Sequence, residues 1–257
     1  MAKRRDMPNE RQILGLNFFV GDAHTAVQRI SRGGLLVVPS APVLRDIGLS
    51  EAHREALVNA DMAITDSALM VLLWNLLEAD SVKRLSGLEY LRELLRMEDF
   101  RAAGNTFWVM PNPASAQKNL DWLASQGISV PQECVYVAPI YGAKTEDMVL
   151  IQHLREHPCK HVVVTVGGGT QERLGLYIKR NLDYLPAIHC IGAAIGFLSG
   201  DQVRIPDWVD KIYLGWLARC VSAPKRYVPR YWTSLSVISL LWRYRNRLPP
   251  MQPAGAA

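Results

Sequence analysis

The chain has 257 residues, 49% of them hydrophobic and 21% charged, with a formal net charge of +5. That length and apolar content suffice for one substantial core, and no linker or low-complexity stretch divides it. The longest apolar runs, around 187–198 and 235–242, are too short to span a bilayer, and the charged start MAKRRDMPNERQ has no apolar segment behind it. A cytoplasmic protein is expected. Cys134, Cys159, Cys190 and Cys220 are widely spaced, without a C-x-x-C pair, and read as buried reduced thiols rather than zinc ligands. The histidines are scattered and no Asp-x-Asp pair is present, so no metal and no cofactor are predicted.

Charge is unevenly placed. Beyond Asp210 there is no acidic residue but eight cations, Lys211, Arg219, Lys225, Arg226, Arg230, Arg243, Arg245 and Arg247, which leaves residues 1–210 at a net −3. The basicity belongs to the tail.

In chain order, GGLLVVPSAP predicts a core strand over Leu35–Val38 stopped by Pro39. SEAHREALVNA predicts a helix with Ser50 as its N-cap, DMAITDS a short strand, and the stretch from Ala68 to Leu77 a long helix. GLEYLRELLRME predicts a helix, Thr106–Met110 a strand, SAQKNLDWLASQG a helix, CVYVAP a strand, and TEDMVLIQHLREH a helix capped by Thr145. Val162–Val166 is β-branched without polar alternation, as in a strand buried on both faces. Leu174, Tyr177, Ile178 and Leu182 then recur at helical spacing. The start of PAIHCIGAAIGFLSG predicts a last strand ending in a glycine-containing turn. Alternating strands and helices predict an α/β fold with a doubly wound, mostly parallel, Rossmann-like sheet. Ligands of such sheets sit at the carboxyl ends of the strands, so the turns after Val38, Thr65, Val166 and Ile191 are expected to face one crevice.

The sequence predicts a core over residues 1–205, an amphipathic basic appendage over 206–247 and a disordered end over 248–257. In the appendage Trp208, Val209, Ile212, Tyr213, Trp216, Leu217, Cys220 and Val221 keep a helical period up to Ala223-Pro224. That stripe suits packing on the core, an oligomer interface or a membrane surface equally.

The triple glycine Gly167-Gly168-Gly169 lies between the Val162–Val166 strand and a helix, where backbone N–H groups and the helix dipole can seat a diphosphate. It is neither a P-loop, since no Lys-Ser/Thr pair follows, nor the dinucleotide fingerprint, since Glu172 stands where a third glycine belongs. By itself the turn is equally consistent with tight packing.

Taken together, VVPSAP, NADMAITDSALMVLLWNLL, VKRLSGLEYLRELL, VVVTVGGGTQERLGLYI, IGAAIGFLSG and RIPDWVDKIYLGWLARCVSAPKRY resemble, in this order, the WecG/TagA/CpsF glycosyltransferase family from about Leu14 to Trp232. The resemblance implies transfer of a sugar from a UDP-sugar to a polyprenyl-diphosphate-linked saccharide at the inner face of the cell membrane, for surface or exopolysaccharide synthesis. Asp66 in ITDS matches the Asp of the family's A-D-G segment, the catalytic base of an inverting displacement; from the residues alone it could equally cap the following helix. Arg84 matches the family's R-V-x-G arginine, suited to a diphosphate. Gln171 and Glu172 match its Q-E pair, where an amide can fix a sugar hydroxyl or a phosphate oxygen. Gly168 and Gly169 would then line the donor site and Gly192 the turn near the uridine.

Three positions depart from the family. Its Thr-Pro-Asn is Val38-Pro39-Ser40, leaving Ser40 as the single hydroxyl; its A-D-G is Thr65-Asp66-Ser67; and the Asp of its F-D-F-L-A-G is Gly196. These changes surround the donor, so the transferred sugar does not carry over, and a neutral hexose fits. Arg219, Arg226 and Arg230 keep the family's C-terminal spacing, which implies arginines over the active site and peripheral docking on the membrane. No nucleic-acid-reading motif is present. Two other readings remain, another nucleotide reaction on the same fold, and a membrane-binding module without catalysis.

Overall fold

A computed structural model of the chain describes residues 9–202, 229 and 232–252. Its central strands are β3 (Gly34–Val37), β4 (Met62–Ile64), β5 (Thr106–Met110), β7 (His161–Val164) and β8 (Ala187–Cys190), and every residue in them is buried. The reason is the two-residue period of a strand. Leu35 and Val37, Phe107 and Val109, Val162 and Val164 face one core, while Leu36 and Val38, Trp108 and Met110, and Val163 face the other. The sheet is completed by β1 (Glu10–Ile13), β2 (Leu16–Phe19) and β6 (Val135–Val137), in the order β1-β2-β4-β3-β8-β7-β5-β6. All neighbours pair in parallel except β1 with β2.

Helices cover both faces. On one side lie α2 (Ala41–Arg45), α3 (Glu51–Val58), α4 (Ala68–Glu78), α8 (Met148–Glu156), α9 (Thr170–Asn181) and α11 (Ser236–Tyr244). On the other lie α1 (Ala23–Ile30), α5 (Gly87–Leu94), α6 (Glu98–Arg101), α7 (Pro113–Ser125) and α10 (Gly196–Ser199). The predicted α/β fold class is therefore the observed one.

Local differences from the sequence expectations have physical causes. The β1–β2 hairpin was not predicted. Its turn sets Leu14 (φ 50°) and Gly15 (φ 76°) both at positive φ, a conformation leucine rarely signals. The helix over TEDMVLIQHLREH starts at Met148 and is capped by Asp147, not Thr145. Asp147 Oδ1 accepts from Leu150 N at 3.0 Å, while Oδ2 accepts from the hydroxyls of Tyr136 and Tyr141 at 2.9 and 2.6 Å. GLEYLRELLRME breaks after Leu94, where Leu95 N–H turns back to Leu91 and Glu93 before α6 begins.

The C-terminal segment also differs from its expectation. Val237 and Leu241 of α11 are fully buried against the core, and α11 packs on α4 and α2. Leu14 N donates to Arg245 O at 2.7 Å and Gln252 N to Gly48 O at 2.8 Å. A Cβ on Gly15 would lie 2.5 Å from that of Leu248. Residues 248–252, predicted disordered from their Pro-rich composition, are thus seated by the Gln252–Gly48 backbone bond, by Arg54 donating to the Pro249 carbonyl and by Leu248 against Gly15. The helical stripe over 208–221 lies outside the described residues.

One buried polar chain joins α5 and α6 to the sheet. The Tyr90 hydroxyl donates to His189 Nδ1 (2.7 Å), His189 Nε2 lies 3.1 Å from His161 Nδ1, and His161 Nε2 lies 3.4 Å from Asp99 Oδ2. Because the carboxylate only accepts, His161 carries its proton on Nε2 and His189 does likewise, so each histidine is neutral and one proton occupies each link. Burial holds both histidines below the ordinary value, more than Asp99 raises His161. A depressed histidine pKa contributes stability above the unfolded value, near 6.5, that is lost as pH falls from there toward the folded value. Thermal unfolding between pH 7.5 and 5.5 should therefore show stability falling below pH 6.5 by roughly 1 kcal/mol per pH unit for His189, which is held well below its ordinary value, and by less for His161. His189→Gln should flatten that slope. An unchanged slope would remove the pair from the acid response.

Candidate active site

Strands β4, β3, β8 and β7 are adjacent and parallel, so the turns at their carboxyl ends lie side by side on one edge. Packing ties them together. A Cβ on Gly87 would approach Val38 Cγ1 to 3.1 Å, one on Gly168 would approach Val43 Cγ2 to 2.9 Å, and one on Gly192 would approach Gln171 Oε1 to 3.3 Å. At Gly168 a side chain would force the turns apart, and at Gly87 and Gly192 it would make the neighbouring side chain give way.

Asp66 follows β4. Its Oδ1 accepts from Gly87 N, the first residue of α5, at 2.9 Å, and Arg84 Nη2 lies 3.8 Å from the same oxygen. Arg84 Nε also donates to the Asp66 backbone carbonyl at 2.7 Å. Oδ2 accepts no hydrogen bond among the described residues. The Asp66 side chain is 26% exposed and that of Arg84 15%, so the free oxygen can be reached while the anchored one is held. Asp66 is not the cap of α4; Ser67 is, accepting from Met70 N at 3.3 Å. A carboxylate fixed at one oxygen and open at the other can take a proton from a group placed against it.

Thr65 and Glu172 hold the edge from behind instead of facing it. Thr65 is fully buried, and its hydroxyl donates to Lys83 O (2.8 Å) and accepts from Leu85 N (2.9 Å). Both of its capacities go to the segment that carries Arg84. Glu172 is also fully buried, with Oε2 accepting from Gly169 N (2.6 Å) and Oε1 from Gln171 Nε2 (3.0 Å). Burial raises its pKa, with its hydrogen bonds and nearby His53 opposing. The helix face expected from Leu174, Tyr177, Ile178 and Leu182 is thereby extended by two polar residues that are buried.

The triple glycine resolves into three different cases. Gly169 has φ 88° and is the N-cap of α9; Gly168 is pressed by Val43; and a Cβ on Gly167 would meet nothing within 4 Å. Packing demands glycine at 168 and the positive φ favours it at 169, while neither requires it at 167. Ser40 stands at the start of α2 without its hydroxyl capping the helix. Gly192, with φ 57°, faces the Gln171 carbonyl.

The edge thus gathers Ser40, Asp66, Arg84, Gly168, Gly169, Gln171 and Gly192, sets Thr65 and Glu172 behind it, and Arg219, Arg226 and Arg230 lie outside the described residues. Sequence reasoning missed Gly87, whose N–H anchors Asp66. The signal was available in Ser86-x-x-Glu89, the spacing of a helix start, where Ser86 Oγ accepts from Glu89 N at 3.1 Å. A search of curated proteins finds no match to the chain. The family model of the WecG/TagA/CpsF glycosyltransferases matches residues 11–250. With that span, the chain belongs to the WecG/TagA/CpsF glycosyltransferase family.

Proposed function

We propose that this glycosyltransferase moves a hexose from a UDP-sugar to a polyprenyl-diphosphate-linked saccharide, with inversion, in bacterial surface or exopolysaccharide synthesis. The observation that carries the reading is Asp66, anchored through Oδ1 and open at Oδ2 on the edge where four strand ends meet. In one displacement the acceptor hydroxyl attacks the anomeric carbon, its proton passes to Asp66 Oδ2, and the bond to the β-phosphate oxygen breaks with its electron pair leaving on UDP. A single carboxylate acting as base implies inversion.

The negative charge that grows on UDP is met, in this reading, by Arg84 and the Gly167–Gly169 turn at the start of α9 rather than by a metal ion. Arg219, Arg226 and Arg230 are assigned to the same phosphates or to those of the acceptor. Incubating the protein with a panel of UDP-sugars and lipid-linked acceptors in vesicles tests this. Acceptor-dependent UDP release from one donor, with an inverted anomeric proton signal in the product, is expected. Retained configuration would overturn the single-displacement mechanism, and donor binding without transfer to any lipid-linked acceptor would overturn the acceptor class.

We also assign membrane docking at the inner face of the cell membrane. No helix among the described residues is long and apolar enough to cross a bilayer. Yet Leu72 and Leu76 on α4 are exposed, as are Trp232, Leu235, Ile238 and Trp242 on and just before the α11 packed against it. Arg243 and Arg247 are exposed cations on the same segment, and no carboxylate side chain follows Asp210. Apolar and indole side chains beside cations suit an anionic lipid surface, each cation adding about 1 kcal/mol. Leu76→Glu with Trp242→Glu should lower binding to anionic vesicles by about tenfold or more in a sedimentation assay. Unchanged binding would move the docking surface elsewhere.

A further inference from the structure

The first turn of α5 is tied to three neighbouring strands. Gly87 N donates to Asp66 Oδ1 after β4, and Gly87 lies so close to Val38 after β3 that a Cβ would stand 3.1 Å from Val38 Cγ1. Tyr90, one turn further on, donates its hydroxyl to His189 Nδ1 of β8 at 2.7 Å. Tyr90 N also donates to Ser86 O at 2.9 Å, so the turn that presents the Gly87 N–H is the turn that Tyr90 closes. His189 is a firm anchor, because β8 is paired on one side with β3 and on the other with β7.

Packing alone calls for neither a hydroxyl nor histidines at this place. The layer is otherwise filled by side chains such as Leu36, Leu91, Phe100 and Val163, and apolar residues would bury the same area with no polar atoms to satisfy. What the polar chain adds is direction. A hydrogen bond restricts distance and angle where apolar contact tolerates sliding. The carboxylate of Asp99, 36% exposed at the outer end, can only accept, so the run of one proton per link makes Tyr90 the obligatory donor at the inner end. The Tyr90 hydroxyl has no other hydrogen-bond partner among the described residues.

We propose that Tyr90 is a positioning residue, whose bond to His189 sets the start of α5 so that the Gly87 N–H holds Asp66 with Oδ2 free for the acceptor. This rests on the reading of Asp66 as the base and names what keeps that base in place. Tyr90 is fully buried and acts through α5 alone.

Hydrogen exchange of the Gly87 amide, followed by NMR, tests the tie without any substrate. Tyr90→Phe keeps the ring and removes the hydroxyl, and Gly87 N–H should then exchange about tenfold faster than in wild type. Ile128→Val is the control, since it trims a buried side chain after α7 in the same layer. It should lower Tm comparably and leave Gly87 exchange within a factor of about two. Equal acceleration in both variants, or none in Tyr90→Phe, would reduce Tyr90 to ordinary packing and overturn the proposal. In transfer assays Tyr90→Phe should lower kcat about tenfold with UDP-sugar affinity within a factor of about two, a split that a general loss of stability does not produce. The double variant with Asp66→Asn should be no slower than Asp66→Asn alone, and losses that multiply would overturn the proposal by showing that Tyr90 does not act through Asp66. Undiminished turnover of Asp66→Asn by itself would instead defeat the reading of Asp66 as the base, while the exchange result would still decide whether Tyr90 holds α5.

Discussion

Asp66→Asn should lower kcat for sugar transfer by about 10²- to 10⁴-fold while leaving UDP-sugar affinity within a factor of about three. The substitution is chosen for its geometry. An asparagine carbonyl can keep the 2.9 Å bond from Gly87 N, but its amide nitrogen then stands where Oδ2 was and cannot take a proton. Structure is preserved and basicity removed. Asp66→Ala would confound the two, since it also frees the first N–H of α5 and leaves Arg84 without its 3.8 Å neighbour. Measuring UDP release alongside calorimetric donor binding separates catalysis from recognition. Near-wild-type turnover in the asparagine variant would reduce Asp66 to an anchor for α5, and a parallel loss of donor binding would make it a ligand-binding residue.

The second large effect is on stability. Gly175 lies in α9 where the helix crosses the sheet, and a Cβ there would sit 2.6 Å from both Cys190 Sγ and Leu35 Cδ1. Both neighbours are fully buried at the centre of the sheet and have no space to retreat into. Gly175→Ala should cost about 1–3 kcal/mol by overpacking, despite the gain in helix propensity, and lower Tm by several degrees. Gly142→Ala is the control, because its Cβ would meet nothing within 4 Å and its φ is not positive. That variant should stay within about 0.5 kcal/mol of wild type. Equal melting temperatures for the two variants would mean that the α9–sheet contact yields more readily than its packing indicates. The contact matters for function too, since α9 carries both Gln171 and Glu172.

Much of the fold was legible because the central strands are mostly apolar without polar alternation, as in GLLV and the valines of HVVV, which a two-sided sheet satisfies. The strand order was not, because the connection from β4 to β5 runs through α4, α5 and α6 and nothing local in it encodes a jump across the sheet. Helix α1 escaped notice for a different reason. Two of its four buried residues are Ala23 and Ala26, small enough to pass for surface positions.

At the site, residue types were readable and side-chain directions were not. The glycine turn could be named from its place between a strand and a helix, whereas Asp66 and Arg84 were named through the family resemblance. Thr65 and Glu172 are as polar as their neighbours, and only the three-dimensional structure shows that each spends its hydrogen bonds inward.

The most direct test of the account is a crystal structure of the protein with UDP. The diphosphate should lie against the Gly167–Gly169 turn, with the uridine beside Gly192 and Asp66 Oδ2 facing the space beyond the β-phosphate. UDP bound away from the carboxyl ends of β3, β4, β7 and β8, or bound there with Asp66 turned from the phosphates, would contradict it.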